Sequence, residues 1–444
     1  MQRIKRQQKR LPKQNLPHQS YPVRVLIAAI ACFPGRGSES YVGWSTVNAV
    51  AQDHDVHVIT SGEGRRDIEK EMEDHPFRSK LTFSYIQQPS HWHENRLIAR
   101  FQSWMAYIRW VNEASIMARR LCQKEKFDLS HHVTYATWRM GTPLAGLGIP
   151  LVFGPVGGGE QFPARFLAML SPLSAGFELL RIVSGWVAIK SRRVVEATKK
   201  ASLILVNNNE TRELLTGLGV KREKIKLMSQ SFLSAAKMAA LRCETPKSPP
   251  REKLKIFAGG NLEGRKGVAI ILEGLAILEK WNIPFEFTYG GRGPELGHLQ
   301  RLASKLKLPV AQVRIGVTLS PEDYMQTLKD SHIYLLPSLR EGAPVTMIEA
   351  MAASCVPVVG KCGGAAMLVT QDCGRLISIT TPRQMALDIA TEIKGLFENL
   401  DAFGKLAKAA FERVVAVCSE NSYRKQINEH YQSVVGKAII PSRR

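Results

Sequence analysis

Two carboxylates, Glu341 and Glu349, carry the sharpest chemical signal in the chain. They stand in the stretch Pro337-Ser-Leu-Arg-Glu341-Gly-Ala-Pro-Val-Thr-Met-Ile-Glu349-Ala-Met-Ala352, directly after an apolar run, 333–336, suited to a buried strand. Pro344 suits the first turn of a helix, where the N–H it lacks is not needed. Glu341 is then predicted in the loop before that helix, and Glu349 in its second turn. The free amides around Gly342, Ala343 and Val345, with the positive end of the helix dipole, suit a bound diphosphate. A carboxylate inside the helix can reach a pair of ribose hydroxyls, and one in the loop can hold sugar hydroxyls. Most single glutamates on helices merely face water. Glu349 instead sits among Met347, Ile348, Ala350 and Met351, with little other charge nearby. Arg265 and Lys266 stand just past a second glycine-rich strand end, Phe257-Ala-Gly-Gly-Asn-Leu-Glu-Gly-Arg-Lys-Gly267, where two cations can neutralise a phosphate leaving group. Stabilising developing charge is the largest single contribution open to a site without a metal.

Positioning such groups takes strands that alternate with helices, the pattern of a parallel, doubly wound sheet. Apolar runs at 23–30, 56–60, 81–86, 151–153 and 201–206 read as strands of one sheet, and 93–124 carries a long helical period. Residues 243–253 are charged, Pro-rich and without apolar periodicity, and form the best linker in the chain. The pattern then restarts, with strands at 254–258, 285–289, 313–315, 333–336 and 356–359. The predicted fold class is α/β: two Rossmann-like doubly wound domains facing across a cleft, with ligands at the carboxyl ends of the strands. The predicted divisions are a basic tail (1–20), a first domain (21–242), the linker, a second domain (254–420), and a C-terminal helix and tail (421–444) able to cross back.

The stretch holding Glu341 and Glu349 resembles the E-x7-E motif of the GT4 family of retaining glycosyltransferases. Three further segments resemble that family in the same order: 257–267, the Gly290-Gly-Arg-Gly-Pro-Glu295 turn, and Cys355-Val-Pro-Val-Val-Gly360 with Gly363-Gly364. The likeness is strong from 254 to about 380 and looser in the first half. There it rests on the loops 34–44 and Gly154-Pro-Val-Gly-Gly-Gly-Glu160, which look like those of a polysaccharide-assembling subgroup. The resemblance implies a GT-B fold and metal-independent transfer from a nucleotide sugar, with no other cofactor, to a glycan or polyprenyl-linked acceptor. It implies that Glu341 holds the transferred sugar and that Arg265 and Lys266 meet the leaving diphosphate. Gly37, Gly157 and Gly158 would let first-domain loops approach the donor. In this family the acceptor hydroxyl is held to attack the face that the diphosphate leaves, and a diphosphate oxygen takes its proton. Many members place a His after the strand corresponding to 151–153, where this chain has glycines. His131 and His132 are candidates for that catalytic role, though such a pair at a strand end is as often structural. Where the family often has a Glu, this chain has Met367.

Other motifs are weaker. Asp53-His-Asp55 has the D-x-D form of metal-dependent transferases but stands in an ordinary turn before a strand, and His91 and His93 lack acidic partners at ligand spacing. Gly35-Arg-Gly37 lacks the third glycine of a dinucleotide fingerprint. An NAD-dependent or epimerase-type enzyme accounts for two Rossmann-like halves but not for the paired glutamates. A non-catalytic sugar-binding protein has no need of both.

Composition narrows the setting. A chain of 444 residues suggests two or three domains, and its 44% hydrophobic content supports sizeable cores. Seven cysteines without a C-x-x-C read as free thiols in a reducing compartment, the cytoplasm. No apolar stretch is expected to reach the roughly 18–20 residues that span a bilayer, and no signal-peptide core follows the basic N-terminus. The net charge of +22 admits nucleic acid, an anionic membrane surface or an anionic substrate as partner. Nothing resembles a nucleic-acid-binding module, so peripheral association with an anionic membrane is the favoured reading. Residues 162–190, rich in apolar side chains with basic margins, can lie in such an interface or form a lid over the acceptor cleft.

Overall fold

A computed structural model describes residues 21–35, 37, 39–88, 96–243, 247 and 252–439, without the side chains of 96–101 and 437–439. The basic stretch 1–20, His91, His93 and most of the expected linker lie outside the described residues.

The first group of apolar runs becomes seven strands: β1 (Arg24–Ala28), β2 (Asp55–Ser61), β3 (Leu81–Ile86), β4 (Leu129–His132), β5 (Leu151–Val156), β6 (Leu203–Val206) and β7 (Ile225–Leu227). Their order is β3-β2-β1-β4-β5-β6-β7, all parallel. Helices α1 (Glu39–Ala51), α2 (Arg65–Glu71), α3 (Arg96–Lys124), α4 (Pro172–Ile189), α5 (Arg192–Lys200) and α6 (Asn209–Gly217) connect and flank them, and α7 (Ala235–Leu241), after the last strand, packs through Leu241 in the core of the second half. Val25, Leu26 and Ile27 are all fully buried, as a parallel strand covered on both faces requires.

The second sheet has β8 (Leu254–Gly259), β9 (Phe285–Gly290), β10 (Val313–Val317), β11 (Ile333–Leu336), β12 (Val356–Gly360) and β13 (Arg375–Ile377). They are ordered β10-β9-β8-β11-β12-β13 and again parallel. Its helices are α8 (Val268–Lys280), α9 (Leu296–Lys305), α10 (Pro321–Asp330), α11 (Val345–Ala352), α12 (Gly363–Leu368), α13 (Pro382–Glu398) and α14 (Leu400–Cys418), followed by α15 (Glu420–Ile439). In both sheets the fourth strand pairs with the first, β4 with β1 and β11 with β8. That reversal of direction opens the crevice in which open α/β sheets bind ligands.

Further segments tie the halves together. Helix α15 returns to the first sheet, burying Tyr423, Ile427, Tyr431 and Val434 in its core. In the other direction, Phe162 and Phe166 join the core of the second sheet. Glu295, at the start of α9, accepts hydrogen bonds from Ser171 and Ser174 at the start of α4.

Three sequence expectations change. β5 runs on to Val156, so the loop expected from Gly154 begins at Gly157; pairing of Val156 with Val206 carries the strand through Pro155. The edge strands β7 and β13 are three residues each, too short for a pattern to register. Finally, α4 is 18 residues long and apolar enough to cross a membrane by length and composition alone, contrary to the expectation that no stretch would be. Glu178 and Arg181 are its only charges among otherwise mostly apolar residues, so their effect on the average is small.

Candidate active site

The site begins where β8 ends. Gly260 and Gly267 take positive φ, +121° and +68°, and the short turn Gly264–Lys266 between them turns Arg265 and Lys266 toward the end of β11. At Gly267 a Cβ would come within 2.3 Å of the Pro337 carbonyl, so only glycine lets the two loops approach. Leu339 N–H donates to the Arg265 carbonyl at 2.8 Å and pins them together. Lys266 Nζ then stands 2.5 Å from Glu341 Oε2, with Arg265 Nη1 at 3.6 Å, and the Ser338 hydroxyl donates to the same carboxylate at 3.1 Å. Glu341 is 5% exposed. Burial pushes its carboxyl up, but the Lys266 and Arg265 cations and the hydrogen bonds from Lys266 and Ser338 outweigh it and hold the group below its ordinary value. Glu341 is therefore an ionised carboxylate within reach of two cations at the crevice between β8 and β11.

Glu349 lies on the buried face of α11, in its second turn, as its apolar neighbours suggest. Tyr324 OH donates to its Oε2 at 2.6 Å, and Lys237 of α7 pairs with its Oε1. Lys237 Nζ also lies 5.1 Å from the Tyr41 ring centre of α1, so both halves of the chain meet at this acid. Gly342 faces Asn207 across the cleft, where an added Cβ would sit 3.4 Å from Nδ2. The N–H of Val345 is spent on the Ala343 carbonyl at 3.0 Å. At the next loop, Gly363 N–H donates to Glu210 of α6 at 2.8 Å.

The opposite wall is built differently. Gly157, Gly158 and Gly159 follow β5, and a Cβ on Gly159 would meet Thr211 backbone at 2.4 Å. The Gly158 carbonyl accepts from Trp138 Nε1 at 2.9 Å and from Arg139 at 2.7 Å. Asn208 donates to Glu160 and to Asn207, and Asn207 donates to Gln230. Gly37 stands before α1, and a Cβ there would meet nothing within 4 Å among the described residues.

His131 and His132 are not part of this wall. Both lie within β4, fully buried. His131 has both ring nitrogens engaged, Nδ1 with Tyr431 OH at 2.7 Å and Nε2 with the Gly154 carbonyl at 2.6 Å. His132 stacks on Phe153, 5.6 Å between ring centres. Burial depresses them to about 4 and about 3, so both are neutral core residues. The catalytic role expected of them is corrected on that ground: His131 has both nitrogens spent, and His132, though its ring nitrogens lack partners among the described residues, is wholly enclosed by the core. Asp53 is likewise committed, held by Arg424 at 2.8 Å and by Asn428 at 2.8 Å. Among the described residues no three His, Cys, Asp or Glu side chains cluster at metal-ligand spacing.

Sequence reasoning did not single out Lys237, Tyr324, Glu210, Asn207 or the Arg340–Glu178 ion pair, 2.7 Å across the two halves. Lys237 had one faint signal, a lone charge in Ala-Ala-Lys-Met-Ala-Ala-Leu. Its partner is more than a hundred residues away and invisible to spacing.

Residues 244–410 match the family model described as glycosyl transferases group 1, and residues 36–229 match that of glycosyltransferase family 4. No curated protein matches the chain. Among solved structures, HepE of Anabaena, in complex with UDP and glucose, aligns with a TM-score of 0.59 at 17% identity, over 93% of this chain and all of that one. Sucrose-phosphate synthase of Thermosynechococcus elongatus aligns at 0.60 and 15% identity, over 94% and 100%. The lipopolysaccharide outer core galactosyltransferase WaaB aligns at 0.53 and 14%, over 92% and 99%. At such identities the likeness speaks to fold. With two family models matched in order and two facing Rossmann-like sheets, this chain belongs to the group 1, family 4 glycosyltransferases and has their GT-B fold.

Proposed function

We propose that the chain is a retaining glycosyltransferase that moves a hexosyl group from a nucleotide sugar to a glycan or lipid-linked acceptor in surface polysaccharide assembly. The observation that carries this reading is the Glu341–Lys266–Arg265 cluster at the crevice between β8 and β11. The UDP and glucose recorded with HepE support a nucleotide-sugar donor. Arg265 and Lys266 take the charge that develops on the diphosphate as its bond to the sugar's anomeric carbon breaks. Glu341 holds the sugar hydroxyls and, being anionic, favours the positive charge that develops on the ring. The acceptor hydroxyl forms the new bond on the same face, and a diphosphate oxygen receives its proton. Glu349 takes the ribose hydroxyls in exchange for Lys237. Gly342, Ala343, Gly157 and Gly158 let backbone approach the donor, and no bound metal takes part.

The seven cysteines are free thiols, which supports a cytoplasmic setting. A lipid-linked acceptor would be met at the inner face of the membrane. The test is a screen of nucleotide sugars reading released nucleoside diphosphate, with and without EDTA. Release under chelation with one donor, and its loss in Lys266→Ala, supports the reading. Full loss on chelation, restored by Mn²⁺ or Mg²⁺, removes the metal-independent mechanism.

A further inference from the structure

Helices on soluble proteins turn an apolar stripe inward and polar residues to water. Helix α4 does the reverse. Its inward stripe is Ser174, Glu178, Arg181, Gly185 and Ala188, spaced four, three, four and three. Every polar member of that stripe is engaged with the body. Ser174 donates to Glu295 at 2.6 Å, and Glu178 accepts from Arg340 at 2.7 Å. Arg181 donates to the Glu160 carbonyl at 2.9 Å and to Gly158 at 3.2 Å. The outward face is Leu179, Leu180, Ile182, Val183, Trp186, Val187 and Ile189, with Trp186 72% exposed. Only Ser184 and Lys190 interrupt it. A contiguous apolar face of this kind on an otherwise charged protein marks a docking surface.

What docks there is indicated by the end of the helix. Past Ile189 the apolar face runs into a cleft of about 360 Å³ between α5 and the segment 218–224 that joins α6 to β7. Ile189, Val195 and Leu218 line it, together with three cations, Lys199, Lys221 and Lys224, and no acid. A second copy of the chain meeting this face about a two-fold axis would bring like-charged rims together. Full insertion would drag Glu178 and Arg181 from their partners into hydrocarbon. Both problems vanish for a helix lying flat at an anionic interface, with apolar side chains among the acyl chains, Trp186 at headgroup level and lysines against phosphates.

We propose that the outer face of α4 and the lysine-lined cleft at its C-terminal end form the docking surface for an anionic phospholipid bilayer. The proposal rests on reading the chain as a transferase that serves a lipid-linked acceptor, and it names the surface that presents the cleft to that acceptor. The inner stripe of the same helix holds Arg340, the neighbour of Glu341, so the docked helix sets the donor site at a fixed height above the membrane.

Co-sedimentation of the full chain with phosphatidylcholine vesicles, and with phosphatidylcholine vesicles containing phosphatidylglycerol, tests this. Binding is expected to the anionic vesicles only, and to weaken as salt shortens the Debye length. The double change Val183→Glu with Trp186→Glu should abolish it. Changing Lys199, Lys221 and Lys224 together to Ala should weaken it about 10²-fold, roughly fivefold per lysine. Nucleoside diphosphate release with a soluble acceptor should be unchanged in both variants. Undiminished vesicle binding in either variant overturns the proposal, as does a dimer in free solution that the Val183→Glu, Trp186→Glu change dissolves. Loss of all binding on removing residues 1–20 alone overturns it as well. If binding depends on α4 but no nucleotide sugar is turned over, the docking surface stands and the transferase reading falls.

Discussion

The two walls of the cleft come from sheets of the same topology, yet they are made of different chemistry. At the second sheet, Arg265, Lys266, Glu341 and Glu349 are charged side chains, and each acid already has a cation from the chain: Lys266 for Glu341, Lys237 for Glu349. At the first sheet the surface offered to the cleft is glycine backbone and amides, Gly157 to Gly159 with Asn207, Asn208 and Gln230, and the charges there, Arg139, Arg181 and Glu160, are spent on the Gly158 carbonyl, on Asn208 and on each other. A buried charge costs several kcal/mol unless it is paired, so a site that must handle a diphosphate keeps counter-ions ready for the donor to exchange with. Neutral hydrogen-bonding groups carry no such penalty and can line a wall that admits varied acceptors. The charged wall is expected to set the rate and the neutral wall to shape what enters.

The largest test of that contrast is kinetic. Lys266→Ala or Arg265→Ala should lower turnover about 10²–10³-fold, as for loss of one electrostatic stabiliser. Asn207→Ala, on the other wall, should cost about tenfold or less and act mainly on the acceptor KM. Equal losses on the two walls, measured as nucleoside diphosphate release, would break the comparison.

Acid should separate the regions next. Burial depresses His54, His57, His131 and His132 around the first sheet, whereas among the described residues His332 alone is depressed around the second. A histidine held neutral in the fold protonates first in the unfolded chain. Its contribution is whole above the unfolded value near 6.5 and is lost as pH falls toward the folded one. For His131 and His132 the slope is roughly 1.4 kcal/mol per pH unit each. Glu341 behaves likewise at lower pH: its contribution is present above the ordinary carboxylate value and disappears below it. Hydrogen exchange at pH 7 and pH 5 should show the first sheet loosening before the second, and Glu341→Gln should leave that order unchanged.

Smaller effects sharpen the picture at Glu349. Lys237→Ala leaves a nearly buried carboxylate with only Tyr324, which should lower stability by about 1–3 kcal/mol in denaturant titration. The donor KM should rise more than kcat falls. Tyr324→Phe removes one hydrogen bond and should cost about 1–2 kcal/mol, with a correspondingly smaller change in KM.

Much of this was legible in residue order. The body of β1 follows from an apolar run, because a parallel strand buried on both faces must be apolar throughout, and the edge strand β3 (Leu81–Ile86) follows from the alternation of Leu81, Phe83 and Tyr85 with Thr82 and Ser84. The places of Glu341 and Glu349 follow from a turn and a helix within one short segment. His131 and His132 show the limit, since the same pair at a strand end suits catalysis or the core. Tyr431, supplied by α15 from 300 residues away, decided the matter for His131.

Helix α4 marks the same boundary. Its apolar content is plain from composition, but whether that content faces in or out depends on which side the body occupies. Arg340, Glu160 and Glu295 fix that side from three other parts of the chain. The sequence by itself determined the two α/β halves and the acid and base pairs, because each is encoded within a few neighbouring residues. Only the tertiary structure decided which cation serves which acid, which histidines are sealed, and which face of α4 meets solvent. Those are contacts between distant segments, and local spacing holds no record of them.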